Sequence, residues 1–172
     1  MICCKCIATT SVLQLHSLNM MQQFCVKAHQ RANSILRCSM SGNVKLLLRA
    51  FILYVRPMLE YKSVIWSPHL KCYIERLEKV QRQFTKRLFG FKHLCYEERL
   101  TKLRIPSLEL RRLYLDLTYC YKTVFGLVTS HMTDFFELST FTGTRGHAYK
   151  VYKPRSDCTV RMHFFANRVS NV

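Results

Sequence analysis

The chain has 172 residues, of which 49% are hydrophobic, and this is enough for one folded domain with a buried core. Its 27 lysines and arginines outnumber ten aspartates and glutamates, and the formal net charge is +17. Such a charge favours polyanions, with nucleic acid first and an anionic membrane surface second. No apolar run reaches the roughly 18–20 residues that span a bilayer, which excludes a transmembrane helix.

Six of the nine cysteines are widely scattered along the chain, several within helical patterns. They indicate reduced, intracellular thiols rather than a disulfide framework, and they do not distinguish nucleus from cytoplasm. Cys3, Cys4 and Cys6 lie close together, but no second pair of cysteines or histidines follows at zinc-finger spacing. We therefore predict no metal site and no cofactor, and we expect residues 1–24 to be a disordered or loosely helical leader.

Three helical segments are predicted before residue 67. The first runs from Phe24 to Cys38 and is broken at residues 41–43, where Asn43 can cap the next helix. The second begins at Val44 and carries a wide apolar stripe. Pro57 disfavours helical geometry at the residue before it, so a kink or a fresh start is expected there, followed by a short helical piece from Pro57 to Trp66.

The clearest helix signal lies between Tyr73 and Phe89. Its apolar residues recur at spacings of three and four and predict one buried face. These residues are Tyr73, Ile74, Leu77, Val80, Phe84 and Leu88. The rest of the circumference is predicted to be mostly positive, opposed by Glu75 and Glu78 near the helix start, where the dipole favours negative charge.

Beyond this helix, a short helix is predicted at 96–103, a turn with a cap at 105–107, and a long helix from Leu108. The long helix carries an apolar stripe that we expect to be central to the core. Its members are Leu110, Tyr114, Leu117, Tyr121, Val124 and Val128. After residue 130 the pattern predicts one helical turn at 134–138, a possible β-hairpin around Tyr149–Tyr152, and a last amphipathic piece from Phe164.

The predicted fold is mainly α: a helical bundle at residues 25–130, with an irregular C-terminal extension at residues 131–172 that could hold a short β-hairpin. Several segments of this bundle resemble the region after the polymerase core in non-LTR retrotransposon (LINE) reverse transcriptases of the jockey type. They are Tyr-Val-Arg-Pro-Met-Leu-Glu-Tyr at 54–61, Ile-Trp-Ser-Pro at 65–68 and Leu-Glu-Lys-Val-Gln-Arg-Gln-Phe-Thr-Lys-Arg at 77–87. The likeness continues, in the family's order and spacing, at 96–100, 108–112, 116–117, 121–122, 144–147 and 164–169.

The resemblance covers about residues 25–172 and implies a thumb, the helical bundle that holds the primer–template duplex of an RNA-directed DNA polymerase. The family's catalytic palm lies upstream and uses an adjacent pair of aspartates to hold two Mg²⁺ ions. Here Asp116, Asp134 and Asp157 are never adjacent. The chain is therefore expected to be a truncated, catalytically inactive fragment without catalytic or metal-binding residues.

A thumb would bind the backbone of an RNA/DNA duplex without reading its bases. We predict that basic side chains make these contacts, and that the chain has no membrane partner and no small-molecule substrate. The predicted nucleic-acid-binding residues are Arg76, Lys79, Arg82, Lys86, Arg87, Arg111, Arg112 and Arg145. One alternative is a structural remnant without independent activity, whose apolar face lacks its palm partner. Another, a membrane-surface binder, is disfavoured because the apolar stripes look matched to one another.

Overall fold

The computed structural model of the chain describes residues 4–39, 42–65, 67–137, 151–153, 155 and 159–171. These residues are mainly helical, which confirms the predicted fold class. The helices are α1 (Cys4–Cys38), α2 (Val44–Tyr54), α3 (Arg56–Glu60), α4 (Lys71–Lys86), α5 (Tyr96–Leu103), α6 (Leu108–Val124), α7 (Thr159–Met162) and α8 (Phe165–Val169), with a 3₁₀ turn at Met132–Asp134. Within the described ranges, no helix is both long and apolar enough to cross a membrane.

The ends of the helices follow the signals in the sequence. The Asn43 side chain caps α2 by accepting hydrogen bonds from the backbone N–H groups of Lys45 and Leu46. A new helix starts at Arg56, with Pro57 in its first turn, which agrees with the predicted fresh start, but it ends at Glu60 and is shorter than the predicted piece. The bounds of α5 agree with the prediction, whereas α4 begins and ends two to three residues earlier than expected.

The chain divides into two compact units, which are residues 1–61 with 68–111, and residues 62–67 with 112–172. In the first unit α1 continues through residue 24 as a single helix. The boundaries expected at residues 24 and 130 stay a prediction. The core of the first unit is apolar, and the rings of Phe51 and Phe84 stack at its centre with centroids 4.4 Å apart. Other buried members are Met21, Ala28, Ala32, Leu47, Val55, Leu59, Leu77, Val80, Leu88, Ile105 and Leu108.

The second unit has a smaller aromatic core around Phe165 of α8. This ring contacts the rings of Tyr119, Phe135 and Phe136, with centroids 5.4–6.0 Å apart. The last amphipathic piece predicted by the sequence is thus a core element. Of the predicted hairpin, Tyr149 lies outside the described residues, while the N–H of Tyr152 donates to the carbonyl of Glu137 at 2.7 Å.

The apolar stripe predicted to be central to the core is instead exposed on α6. Leu110, Tyr114, Leu117 and Tyr121 are 55%, 60%, 41% and 58% exposed. The opposite face of the helix is buried although it carries Asp116, which is 3% exposed. The physical reason is that both faces of α6 contain apolar residues, and the charged partner of Asp116 lies on one side only.

Asp116 accepts two hydrogen bonds from Arg168, one from Nε at 2.8 Å and one from Nη2 at 2.9 Å. The same guanidinium donates to the backbone carbonyls of Ser63, Val64 and His163. A bidentate pair of this kind fixes geometry as well as charge. It ties α6, α8 and residues 62–67 together within the second unit and determines which face of α6 turns inward.

Candidate nucleic-acid interface

The exposed face of α4 carries a row of basic side chains. At about 100° per residue, the exposed residues of this helix and Arg87, which directly follows it, span an arc of about 160°, and the buried residues occupy the rest. Arg76, Lys79, Arg82, Lys86 and Arg87 are all exposed, whereas Leu77, Val80, Phe84 and Leu88 are buried. The structure therefore places these five predicted site residues on one surface, with Glu75 as the exposed acidic residue among them.

Glu78 does not lie on this surface, contrary to the sequence-based expectation. It is 8% exposed and points into the first unit. One carboxylate oxygen accepts a hydrogen bond from the Leu108 N–H at 3.0 Å, and the other accepts a hydrogen bond from the Tyr96 hydroxyl. The carboxylate thereby anchors the start of α6 and the first turn of α5 to α4, and the only acid left to oppose the basic row along α4 is Glu75.

Gln81, which is fully buried, extends this polar anchor. Its amide nitrogen donates to the carbonyl of Pro106 at 3.0 Å and to the Tyr96 hydroxyl oxygen at 3.2 Å. Its amide oxygen accepts from Arg56 Nη2 at 3.4 Å. The amide thus uses both its donor and its acceptor inside the core, as a buried polar group must.

Burial and the adjacent Glu78 carboxylate raise the pKa of Tyr96, so this phenol keeps its proton and its donor role. The guanidinium of Arg82 lies over the Tyr96 ring, 4.9 Å from its centroid. This cation–π contact holds Arg82 at the edge of the basic row without neutralising its charge.

Arg99 of α5 supports the C-terminal end of α4. It is 4% exposed, and its Nη1 donates to the carbonyl of Arg82 at 2.8 Å and to the Thr85 hydroxyl at 3.1 Å. Both acceptors lie in the C-terminal part of α4. A buried guanidinium from α5 thus stabilises the segment that presents Lys86 and Arg87.

The remaining predicted site residues are not on the α4 surface. Arg111 is half-buried and forms an ion pair with Glu60, with Nε 3.0 Å from the carboxylate. Arg112 is 6% exposed and faces inward, so it does not present its charge to a duplex. Arg145 lies outside the described residues. Arg111 is thus engaged in an ion pair, and Arg112 is buried within the fold.

Two residues near the basic row were not predicted, because both lie on α1, which packs along α4. Asn33 accepts a hydrogen bond from Arg87 Nη1, and His29 is close enough to Lys79 for the two charges to interact. The helical pattern of α1 places Asn33 and His29 at the border of the buried face of this helix. It does not identify α4 as the helix that they contact. A contact between helices more than 40 residues apart leaves no local signal.

Other chemistry finds little support among the residues that the structure describes. No group of three or more histidines, cysteines or carboxylates is placed to hold a metal ion in these ranges. Burial raises the pKa of the Cys120 thiol, which disfavours the reactive thiolate. The basic row therefore stands out as the feature of the described chain with a clear chemical complement, namely a phosphate backbone.

No protein-family model matches the chain, and no solved structure matches it. The chain is similar to an uncharacterized protein of Caenorhabditis elegans, with 26% identity over 89 residues. The aligned segment covers 50% of this chain and 45% of that protein, so the chain spans less than half the length of this relative. The name of this relative states no activity.

Proposed function

We propose that the chain is the thumb-like segment of a jockey-type non-LTR retrotransposon reverse transcriptase. In this proposal it binds the backbone of RNA/DNA duplexes without base specificity and carries no polymerase activity of its own. The observation that carries the proposal is the basic row of α4: Arg76, Lys79, Arg82, Lys86 and Arg87, exposed on one face of one helix. The resemblance to reverse transcriptases described above is the reason to propose an RNA/DNA duplex as the ligand.

The spacing of the row suits a regular polyanion. From Arg76 to Lys86 the helix rises about 15 Å, and over this length a duplex presents several phosphates. Cations at spacings of three and four residues point to the same side and can contact successive phosphates. Such contacts position a duplex but do not read its sequence.

Binding to an RNA/DNA hybrid is expected to fall steeply with salt. If four phosphates are neutralised, affinity drops about 100-fold between 50 and 200 mM monovalent salt, because condensed counterions are released on binding. The measurement is fluorescence anisotropy of a labelled 20-base-pair hybrid, titrated with the full chain at four salt concentrations. An affinity that stays constant over this range would exclude the proposed interface.

A variant in which four residues of the row become glutamine (Arg76, Lys79, Arg82 and Lys86) should lose most of this salt slope. The matched control removes four exposed charges elsewhere in the same unit, at Lys45, Arg49, Lys92 and Lys102. Both variants lower the net charge by the same amount. A similar loss of affinity in both would show that the whole charge, and not the α4 row, attracts the duplex.

A second candidate is supported by the exposed stripe on α6. Tyr114, Leu117 and Tyr121 form a contiguous apolar face of the kind that marks an interaction surface. In this alternative the chain has no independent activity, and the face is the one that packs on the polymerase palm of the family it resembles.

This alternative predicts that the purified chain self-associates through the stripe. Sedimentation velocity at rising protein concentration should show oligomers, and the combined changes Leu117→Gln and Tyr121→Gln should return the chain to a monomer. A wild-type chain that stays monomeric while binding the hybrid would favour the first proposal.

A further inference from the structure

The surface next to the basic row belongs to α1 and continues its charge. His29, Asn33 and Arg37 are spaced four residues apart on α1, so they lie along one face of this helix. Arg87, which directly follows α4, contacts Asn33, and Lys79 of α4 acts electrostatically on His29. These two pairs bring the α1 row alongside the α4 row within the first unit.

This side of the unit holds no opposing charge from α1 or α2. The sequence contains no aspartate or glutamate before Glu60, whereas seven lysines and arginines precede it. Not every basic residue of α1 shares the same face, however. Arg31 donates to the carbonyl of Tyr54 in α2 at 3.5 Å and so lies on the opposite flank of the helix.

We propose that α1 forms the second half of the duplex-binding surface, with His29, Asn33 and Arg37 contacting the sugar-phosphate backbone beside the α4 row. This inference rests on the proposed function and adds to it a second row of ligands. Two adjacent rows of donors can contact phosphates on both sides of a groove. Asparagine and histidine also donate hydrogen bonds to phosphate or to sugar hydroxyls.

The state of His29 gives this contact a measurable signature. Burial, followed by the charge of Lys79, lowers the pKa of His29, so the ring is neutral near pH 7. Lys79 is the charged group known to act on the ring from α4, and Asn33 is its polar neighbour one turn along α1. On the flank of α1 toward α2, Arg31 is turned to a backbone carbonyl.

A phosphate placed beside His29 raises the pKa of this ring, against the lowering by burial and by Lys79. It favours the protonated ring, so binding takes up a proton and affinity rises as the pH falls. In the free chain the sign is reversed: protonation of a ring whose pKa is lowered by folding destabilises the folded state as the pH falls below about 6.5. A contact with the duplex and a merely structural role therefore predict opposite responses to acid.

The first test compares two arginines of the same helix. Arg37→Gln is expected to weaken binding of the hybrid about five- to tenfold at 100 mM salt and to reduce the salt slope by about 0.9. Arg31→Gln removes the same charge from the other flank and is expected to leave both nearly unchanged. Equal effects of the two substitutions would overturn the assignment of this surface to α1.

The second test follows hybrid affinity between pH 6 and pH 8 in the wild type and in His29→Gln. The gain in affinity from pH 8 to pH 6 should be at least threefold larger in the wild type than in the variant. The remaining histidines are common to both proteins and cancel in the comparison. An identical pH dependence would contradict the contact, and circular dichroism of each variant confirms that the helices are retained.

The two proposals can fail separately. If the wild type does not bind the hybrid, the proposed function fails. Suppose instead that the wild type binds and that the four-glutamine variant of α4 weakens binding. If Arg37→Gln and His29→Gln then leave binding unchanged, only the second row is excluded. Loss of binding in both sets, with Arg31→Gln unaffected, supports a surface built from two helices.

Discussion

Phe84→Ala is expected to lower the free energy of unfolding by about 3–5 kcal/mol. The ring is 1% exposed and stacks on Phe51, so its removal loses the transfer free energy of a buried aromatic side chain and leaves a cavity. Because α4 is held to the rest of its unit by this face, the basic row would lose its support as well. Urea denaturation followed by circular dichroism measures the change.

The matched control is Phe89→Ala, since Phe89 is 84% exposed just beyond the end of α4. Its removal is expected to change the stability by no more than about 0.5 kcal/mol. A loss of similar size in both variants would show that Phe84 is not packed as the structure describes.

Asp116→Ala should lower the free energy of unfolding of the second unit by a comparably large amount, about 3–5 kcal/mol. The carboxylate is nearly buried and is the partner of Arg168, whose guanidinium is largely covered as well. Removing one member of such a pair leaves a cation in the protein interior without its counter-charge, which costs more than the pair contributes when intact.

Asp134→Ala serves as the control, because Asp134 is an exposed aspartate of the same unit. The loss of stability in Asp116→Ala should be confined to the unfolding of the second unit, which can be followed, for example, by proteolysis after Arg161 or Arg168. If Asp116→Ala and Asp134→Ala unfolded at the same urea concentration, the ion pair would not hold α8 in place.

The parts of the fold that could be predicted depend on contacts within one helix turn or one cap. The face of α4 that holds Phe84, the cap at Asn43 and the restart at Arg56 each have a local cause, and each agrees with the sequence. The exposed basic row follows from the same periodicity, because residues that are not on the apolar face of an amphipathic helix face solvent.

The parts that could not be predicted depend on partners far along the chain. The inward turn of Glu78 is explained by the N–H of Leu108, 30 residues away. The orientation of α6 is explained by Arg168, 52 residues beyond Asp116. A hydrophobic stripe is only one of the forces that orient a helix, and a buried ion pair on its other face can outweigh it. A tertiary contact of this kind has no signature in a local pattern.

The exposed face of α6 has a consequence for any experiment in which ions are added. Molecules that each carry a net charge of +17 repel one another in dilute buffer, and this repulsion keeps their tyrosines and leucines apart. At 1 M salt the range of the repulsion shrinks to about 3 Å, while attraction between apolar surfaces is undiminished. The conditions that release a bound duplex are thus the ones in which the freed chains adhere to each other.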